Sequence, residues 1–287
     1  MAPWFVELAG CHSKLRPGFG ARLNGDKIAV ILLSVPALLF LLFILVPLAT
    51  IFLNLAPKSV LAELHDQQVT DALSLGLVSS LAATLVSFVL GVPTAYLLAT
   101  RNFHGKKLVD AVTDIPMVLP PAVAGLALLF AFAPRGLLGP SLLRLGIILP
   151  GSTAAVVLAQ LFVASPFVVR SAKAAFENVD RKLVDSARLL NPSRLGVFFT
   201  VTLPLAADGV LAGVVMTWAR AMGEFGATIM FAGNLPGVTE TMPLAIYVLM
   251  ESDPLASNVL SAILVATSFT ILVIFKFLDR RGRRALP

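Results

Sequence analysis

The segment LSLGLVSSLAATLVSFVLGVPTAYLLA, residues 73–99, contains no charged side chain and is followed at once by a basic loop. That loop carries Arg101, Lys106 and Lys107. A helix needs about 20 apolar residues to cross a hydrocarbon core about 30 Å thick, and this segment exceeds that length. We therefore predict a membrane-spanning helix that ends beside a positively charged loop.

The same pattern recurs along the chain and predicts six membrane-spanning helices. The apolar runs are 28–53, 73–99, 115–134, 152–170, 205–232 and 258–278. Hydrophobic residues make up 57% of the chain and charged residues 13%, against about 25% charged in typical soluble proteins. The sequence thus predicts an all-α membrane protein with one transmembrane domain at 28–278. Outside it lie an N-terminal tail, 1–27, whose Pro17, Gly18 and Gly20 predict little fixed structure, and a short tail, 279–287.

The basic residues fall on alternate loops and so predict how the chain is oriented in the membrane. Of the 22 Lys and Arg residues, 18 lie in the N-terminal tail, the loop after 73–99, the segment 170–204 and the C-terminal end from Lys276 onward. Lys and Arg concentrate on the cytoplasmic side of membrane proteins, so both termini are predicted to be cytoplasmic in an inner or plasma membrane. The net charge of +6 then reflects contact with anionic lipid rather than with nucleic acid.

The longest predicted cytoplasmic loop, 171–204, has the pattern of two helices joined by a turn. Its first part, 171–190, repeats apolar residues at spacings of three and four, which is typical of an amphipathic helix. Asn191 and Pro192 predict the turn, because Asn caps helices well and Pro favours the first helical position. A short second helix is then expected at about 193–200, before Leu203 and Pro204 at the membrane border. Such a surface element would be covered by a partner protein or would rest on lipid.

Within this loop, Asp185-Ser186-Ala187, then Asn191, then Val201-Thr202-Leu203-Pro204 resembles the cytoplasmic motif of ABC importer permeases. The family pattern is Glu-Ala-Ala, three residues, Gly, nine residues and Ile-x-Leu-Pro, and the spacing agrees throughout. The resemblance implies a type I importer permease fold, in which this loop is a coupling helix-turn-helix that docks on an ATPase subunit. The implied contact residues are Asp185, Ser186, Ala187, Asn191, Pro192, Arg194, Leu203 and Pro204.

The chain has no Gly-x-x-x-x-Gly-Lys-Ser/Thr loop, the motif that cradles the phosphates of ATP. If ATP drives transport, the ATPase is therefore a separate polypeptide, expected in two copies. A permease with six spans is expected to work as a pair around one pathway; a homodimer is the natural expectation, and a heterodimer with a related permease remains open. No catalytic, cofactor-binding or metal-binding residue is predicted, since His12, His65 and His104 are scattered and show no metal-ligand spacing.

Two charged residues, Arg220 and Glu224, interrupt the fifth apolar run four positions apart, so they share one helix face and can pair. An ionisable pair inside a membrane is costly and marks either a transport pathway or a structural bridge, and both interpretations stay open. Gly223 and Gly226 beside the pair could turn backbone N–H groups toward a passing anion. The predicted pathway or gate residues are Arg220, Gly223, Glu224, Gly226, Thr228 and Asn234.

The sequence GEFGATIMFAGNLPG at 223–237, with TETMPLAIY at 239–247, closely resembles permeases for molybdate and tungstate. It is similar, less closely, to sulfate and thiosulfate permeases, and IPMVLPPAVAG at 115–125 points to the same group. The resemblance implies a periplasmic or extracellular binding protein that selects the oxyanion and delivers it. The outer loop carries the acids Glu240, Glu251 and Asp253 and no basic residue over 233–257. It is either a docking face for that protein or a plain solvated loop.

These observations favour the transmembrane subunit of an oxyanion importer that alternates between inward-open and outward-open states. A sulfate or thiosulfate permease is the alternative within the same family. An ion-coupled transporter working alone would need intramembrane acids, and beyond Glu224 the spans offer almost none. A membrane enzyme would need clustered His, Asp or Cys residues at the membrane border, and the sequence shows no such cluster.

Overall fold

Every regular element in the described part of the chain is a helix, and the all-α prediction is confirmed. The computed structural model describes residues 19–55, 60, 63–190 and 193–284. Its helices are α1 (Phe19–Leu53), α2 (Gln67–Thr100), α3 (Lys106–Val118), α4 (Pro121–Phe132), α5 (Gly139–Arg144), α6 (Thr153–Glu177), α7 (Arg181–Leu190), α8 (Arg194–Val197), α9 (Leu203–Leu205), α10 (Ala207–Met222), α11 (Gly226–Phe231), α12 (Met242–Ser252) and α13 (Pro254–Arg284). A π-helical turn, Phe198–Thr202, joins α8 to α9.

Several of these helices are long and apolar enough to cross a membrane. They are Leu32–Leu53 of α1, the whole of α2 and α6, and Pro254–Val273 of α13. Two bent pairs meet the same criterion jointly, α3 with α4 and Arg194–Leu205 with α10. Over the described residues, the count of spans is therefore four, or six if each bent pair crosses the membrane once. The protein is a multi-pass membrane protein.

The first helix belongs to a compact unit of its own, and the residues from Leu55 onward form a second unit. α1 begins at Phe19, so 19–27, predicted as part of an irregular tail, is helical. None of its side chains along Leu32–Leu53 is buried within that unit. At the other end α13 continues through 279–284, which was also predicted as a tail. Both terminal helices thus extend beyond the apolar runs that predicted them.

The third predicted span, 115–134, is not one straight helix. α3 and α4 meet at an angle of 115°. The bend has a local cause, because Pro120 and Pro121 lack backbone N–H groups and each pushes the residue before it into extended geometry. Leu119 and Pro120 accordingly have ψ angles of 135° and 133°. Because the whole run is apolar, its hydropathy did not indicate the change of direction.

The fifth predicted span, 205–232, is also interrupted, since α10 and α11 are separate helices. A carboxylate oxygen of Glu224 accepts a hydrogen bond from the backbone N–H of Ala227 at 2.8 Å. Glu224 therefore caps the start of α11 instead of continuing α10. At the far end of α11, Gly233 has a φ of 77°, a left-handed conformation that suits glycine at a helix end.

Helix α6 lies at the centre of the second unit and packs against both α2 and α10. Glycines bring the backbones close together at these contacts. A Cβ atom built on Gly91 of α2 would lie 2.8 Å from Cγ1 of Val168, and one on Gly209 of α10 would lie 2.5 Å from Cβ of Ala175. Close approach at small residues is how helices associate within a bilayer.

Candidate functional site

The coupling segment, 171–204, includes the end of α6, all of α7 and α8, and the start of α9. The single helix predicted for 171–190 is wrong, because α6 and α7 are separate. The N–H of Asn178 closes the last turn of α6. Oδ1 of Asp180 then accepts from the N–H of Lys182 at 2.9 Å and satisfies a donor at the start of α7.

Helix α7 presents charged and apolar side chains that the described part of the chain leaves uncovered. Asp185 and Ser186 are exposed, and Ala187 is half-buried. Nη1 of Arg188 lies 3.3 Å from Oδ1 of Asp185. Leu189 is 88% exposed, and a surface of this mixed kind is typical of an element that another molecule covers.

The other predicted contact residues lie further along the coupling segment. Arg194 and Pro204 are exposed and Leu203 is half-buried. Asn191 and Pro192, predicted to make the turn, lie outside the described residues. The described members of the predicted contact set therefore belong to one surface element.

Three aromatic rings anchor the coupling segment to the membrane helices. The ring of Phe198 lies 4.7 Å from that of Tyr96 on α2 and 6.0 Å from that of Phe176 on α6. Leu195 and Phe199, which lie near Phe198 in the same segment, are instead 71% and 62% exposed. The cluster links α2 directly to the segment. Sequence reasoning missed this contact because Tyr96 lies in a different apolar run.

A polar cavity of about 520 Å³ lies between α7 and the ends of α2 and α6. Its charged lining residues are Lys106, Glu177, Arg181, Asp185 and Arg188. A helix backed by such a space has few packed contacts and opens more readily than one in a close-packed core. Helix α7 therefore packs loosely against the ends of α2 and α6.

Arg220 and Glu224 form the ion pair that their spacing predicts. Nη1 of Arg220 lies 2.6 Å from Oε2 of Glu224, whose side chain is 1% exposed. The Arg220 side chain is 29% exposed, so only the carboxylate is fully enclosed. A guanidinium carries five N–H donors, and a single carboxylate oxygen cannot accept all of them. The pair joins the end of α10 to the start of α11.

Three more residues of the predicted pathway set lie at this break. Gly226 touches α4, since a Cβ atom there would lie 2.8 Å from Cβ of Pro121. Gly223 has room for a side chain, since a Cβ atom there would lie 3.6 Å from its nearest neighbouring atom, an ordinary van der Waals contact. Thr228 is fully buried, and its hydroxyl has no hydrogen-bond partner among the described residues. The sequence segment thus forms one compact junction between α4, α10 and α11.

Asn234, the last predicted pathway residue, forms a hydrogen bond within the loop that follows α11. Its Nδ2 donates to Oε1 of Glu240 at 3.3 Å, and Nε2 of Gln68 donates to Oε2 at 3.0 Å. Glu240 is 2% exposed, so its predicted place on an acidic docking face is wrong. Glu251 and Asp253 are exposed, as that prediction requires. Glu240 instead ties the loop to α2.

Three carboxylates gather where α2 and α13 begin. Burial, followed by the negative charges of Asp253 and Asp66, raises the pKa of Glu63 above its ordinary value. Asp66 accepts from the N–H of Gln68 at 2.8 Å, and Asp253 accepts from the N–H of Leu255 at 3.1 Å. Asp66 and Asp253 therefore cap helices, and their negative charges repel the carboxylate of Glu63.

Two ion pairs that sequence reasoning missed hold α3 against α6. Nζ of Lys173 lies 2.7 Å from both carboxylate oxygens of Asp110. Nε and Nη2 of Arg170 donate to the two oxygens of Asp114 at 2.7 and 2.9 Å. The spacing of these residues was a signal in the sequence. The two acids are four residues apart and the two bases are three apart, so each couple lies on one face of its helix.

Comparison with known proteins identifies the family. The family described as "Binding-protein-dependent transport system inner membrane component" matches residues 87–284. The chain belongs to this family. The permease is 39% identical over 219 residues to the molybdenum transport system permease protein ModB of Haemophilus influenzae, covering 75% of this chain and 96% of ModB. It is 35% identical over 244 residues to the molybdate/tungstate transport system permease protein WtpB of Thermococcus kodakarensis, covering 83% and 91%.

A solved structure agrees in fold. A chain from a bacterial alginate ABC transporter, in complex with an alginate pentasaccharide-bound periplasmic protein, matches the permease with a TM-score of 0.71. The match covers 93% of this chain and 97% of that chain, at 18% sequence identity. Likeness at that identity concerns the fold, and the permease has the type I ABC importer fold that the sequence predicts.

Proposed function

We propose that this permease is the transmembrane subunit of an ATP-driven importer for molybdate and tungstate. The observation that carries the proposal is the 39% identity to ModB over 96% of that protein. The match to WtpB, named for both oxyanions, supports tungstate as a second substrate. The residues at 223–237 that resemble oxyanion permeases include the buried junction of α10 and α11, where a pathway element is expected.

The ATPase in this proposal is a separate chain, because the permease has no phosphate-binding loop motif. Two permease copies form a homodimer, and each copy binds one ATPase subunit through α7. Support comes from the exposed surface of α7, including Leu189. The proposed contact residues are Asp185, Ser186, Ala187, Asn191, Pro192, Arg194, Leu203 and Pro204.

The proposed orientation places both termini and the coupling segment on the cytoplasmic side of the cell membrane. The position of 18 of the 22 Lys and Arg residues supports it. A periplasmic or extracellular oxyanion-binding protein then delivers the anion to the opposite face. The alginate transporter chain, of the same fold, comes from a complex with a periplasmic protein.

Transport in this proposal is alternating access between two states. ATP binding closes the ATPase pair and displaces α7, and the membrane helices then open outward to accept the anion. Hydrolysis returns them to the inward-open state. At the junction of α10 and α11, Arg220 offers donors to the anion while Glu224 offsets its charge when the anion is absent. Gly223, Gly226, Thr228 and Asn234 complete the proposed gate.

Competition for uptake tests the substrate. Vesicles that hold the permease, its ATPase and its binding protein are supplied with labelled molybdate and ATP, with tungstate or sulfate as competitor. We expect trace tungstate to block uptake and excess sulfate to leave it unchanged. Block by equimolar sulfate would assign the chain to sulfate transport and contradict the proposal.

A further inference from the structure

The two ion pairs between α3 and α6, Asp110–Lys173 and Asp114–Arg170, form what we name the α3–α6 clamp. We propose that the clamp carries the movement of the coupling segment to the break beside Glu224. Its four members are thus positioning residues for transport, a role that no sequence motif of the chain assigns to them. The inference rests on the proposed function, because it requires a coupling segment that ATP binding displaces.

Helix α3 depends on the clamp because apolar packing does not hold it. None of its residues is buried. Its larger apolar side chains face away from the unit, with Leu108, Val112 and Ile115 exposed by 69%, 52% and 47%. A cavity of about 300 Å³ also remains between α3 and α6 beside the ion pairs. The charged face is therefore what fixes the place of α3 against α6.

The ion pairs are of the kind that can hold a helix. Each pair has one partly enclosed partner, since the side chains of Lys173 and Asp114 are 21% and 29% exposed, against 38% for Asp110 and 60% for Arg170. Water therefore screens each pair less than it screens two fully exposed charges. The Arg170–Asp114 contact is bidentate, which adds a fixed orientation to the attraction. Two such contacts one turn apart on α3 resist both sliding and rotation of the helix.

The input end of the clamp is the last part of α6. Lys173 lies within one turn of Phe176, whose ring packs 6.0 Å from that of Phe198 in the coupling segment. Helix α7 follows α6 after only three residues, 178–180. A displacement of α7 by the ATPase is therefore applied to the same stretch of α6 that holds α3.

The output end is α4, which follows α3 directly in the chain. A Cβ atom on Gly226 of α11 would lie 2.8 Å from Cβ of Pro121, and one on Gly125 of α4 would lie 2.6 Å from the carbonyl oxygen of Ala227. Backbones packed this closely cannot move past each other without repacking. The N–H of Ala227 binds Glu224, so movement of α4 reaches the carboxylate of the gate.

Charge reversal in the complete transporter tests the proposal. The variants are Asp114→Arg, Arg170→Asp and the double exchange, each assembled with the ATPase and the binding protein in vesicles. Each single reversal sets like charges against each other. We expect uptake per ATP hydrolysed to fall by about three- to thirtyfold, the usual range for residues that couple two sites, with the ATPase still bound. The double exchange restores the ratio.

Lys107→Asp is the matched control, because Lys107 is an exposed cation on the same helix and outside the clamp. Its uptake per ATP should equal that of the unaltered permease. The proposal is overturned if both single reversals keep the normal ratio, or if a folded double exchange stays uncoupled. Failure of the proposed function is distinct, since the unaltered permease would then show no ATP-dependent oxyanion uptake.

A cross-link between α3 and α6 tests the proposal if the charge-reversal variants do not assemble into the transporter. Asp110→Cys and Lys173→Cys are combined with Cys11→Ser, which removes the single native cysteine, and are joined by a short cleavable thiol reagent. We expect the cross-linked permease to transport with its normal uptake per ATP, because α3 and the end of α6 move together. Transport that is lost on cross-linking and returns on cleavage would show that they must separate, and would overturn the proposal.

Discussion

Oε2 of Glu224 lies 2.6 Å from Nη1 of Arg220, while Oε1 of the same carboxylate accepts the N–H of Ala227 at 2.8 Å. A single buried side chain thus holds a cation on α10 and the first turn of α11. The pair therefore links the two helices at the proposed gate.

We expect Glu224→Gln to slow oxyanion uptake more than it weakens assembly with the ATPase. Glutamine keeps an oxygen that can cap α11, but it does not offset the charge of Arg220. The loss of this attraction should lower uptake by at least about tenfold, or about 1.4 kcal/mol, if the pair acts in the transport step. Uptake and ATPase co-purification measure the two effects. Loss of folded permease with normal uptake by the remainder would favour a purely structural bridge.

Changes on α7 should uncouple hydrolysis from uptake. We expect Asp185→Lys or Ala187→Glu to leave the permease in the membrane while ATP is hydrolysed without oxyanion uptake, because both change the charge of the proposed docking surface on α7. Asp208→Lys, at an exposed acid on α10, serves as control and should transport normally. Normal uptake by both α7 variants would remove this helix from the coupling role.

The contact of α4 with α11 should tolerate no added methyl group. In Gly125→Ala the new Cβ would lie 2.6 Å from the carbonyl oxygen of Ala227, so the backbone must shift. Overpacking of this kind costs about 1–3 kcal/mol of stability. Gly223→Ala is the matched control, with its nearest atom at 3.6 Å. Thermal unfolding of the purified permease should separate the two variants, and equal melting temperatures would contradict the close packing.

Alanine substitutions of two neighbouring phenylalanines test whether the aromatic rings anchor the coupling segment. Phe198 packs on Tyr96, Phe176 and Phe199, whereas Phe199 is 62% exposed and its ring pairs with Phe198 alone among the described residues. Aromatic pairs contribute about 0.5–1.5 kcal/mol each beyond simple burial, so Phe198→Ala should lower both stability and coupled transport. Phe199→Ala should change either property far less. A larger effect at Phe199 would mean that the exposed ring, not the enclosed one, carries the contact.

The acids around Glu63 give a stability effect that depends on pH. Because the pKa of Glu63 is raised in the folded permease, the folded state binds this proton more readily than the unfolded state does. The associated stability is present below the ordinary pKa of about 4.3 and is lost as the pH rises through the folded-state value. Glu63→Gln should therefore raise the melting temperature at neutral pH and leave it unchanged at strongly acidic pH. An equal rise in melting temperature at both pH values would contradict charge repulsion between Glu63 and the neighbouring acids.

Membrane helices were largely predictable from sequence because lipid burial requires uninterrupted apolar composition. Residues 73–99 lie within α2, and 152–170 overlap α6 almost completely. Changes of direction were not predictable in the same way. The turn at Pro120 and the break at Glu224 occur inside apolar runs, and hydropathy carries no information about backbone geometry there. Proline pairs and an ionisable residue beside glycine were the local signals.

The site was predictable only where its residues are neighbours in sequence. Arg220 and Glu224 pair as their spacing predicts, but the partners of Asp110 and Asp114 are more than fifty residues away in the chain. Glu240 was misplaced for the same reason, since its donor Gln68 comes from the start of α2. A count of charges by loop does not show which charges meet once the helices pack.

The most direct measurement is labelled molybdate uptake by vesicles that hold the permease and its binding protein, with and without the ATPase subunit. We expect uptake only when both the ATPase and ATP are present. Uptake of the same size without the ATPase would contradict an ATP-driven importer, and with it the role proposed for α7.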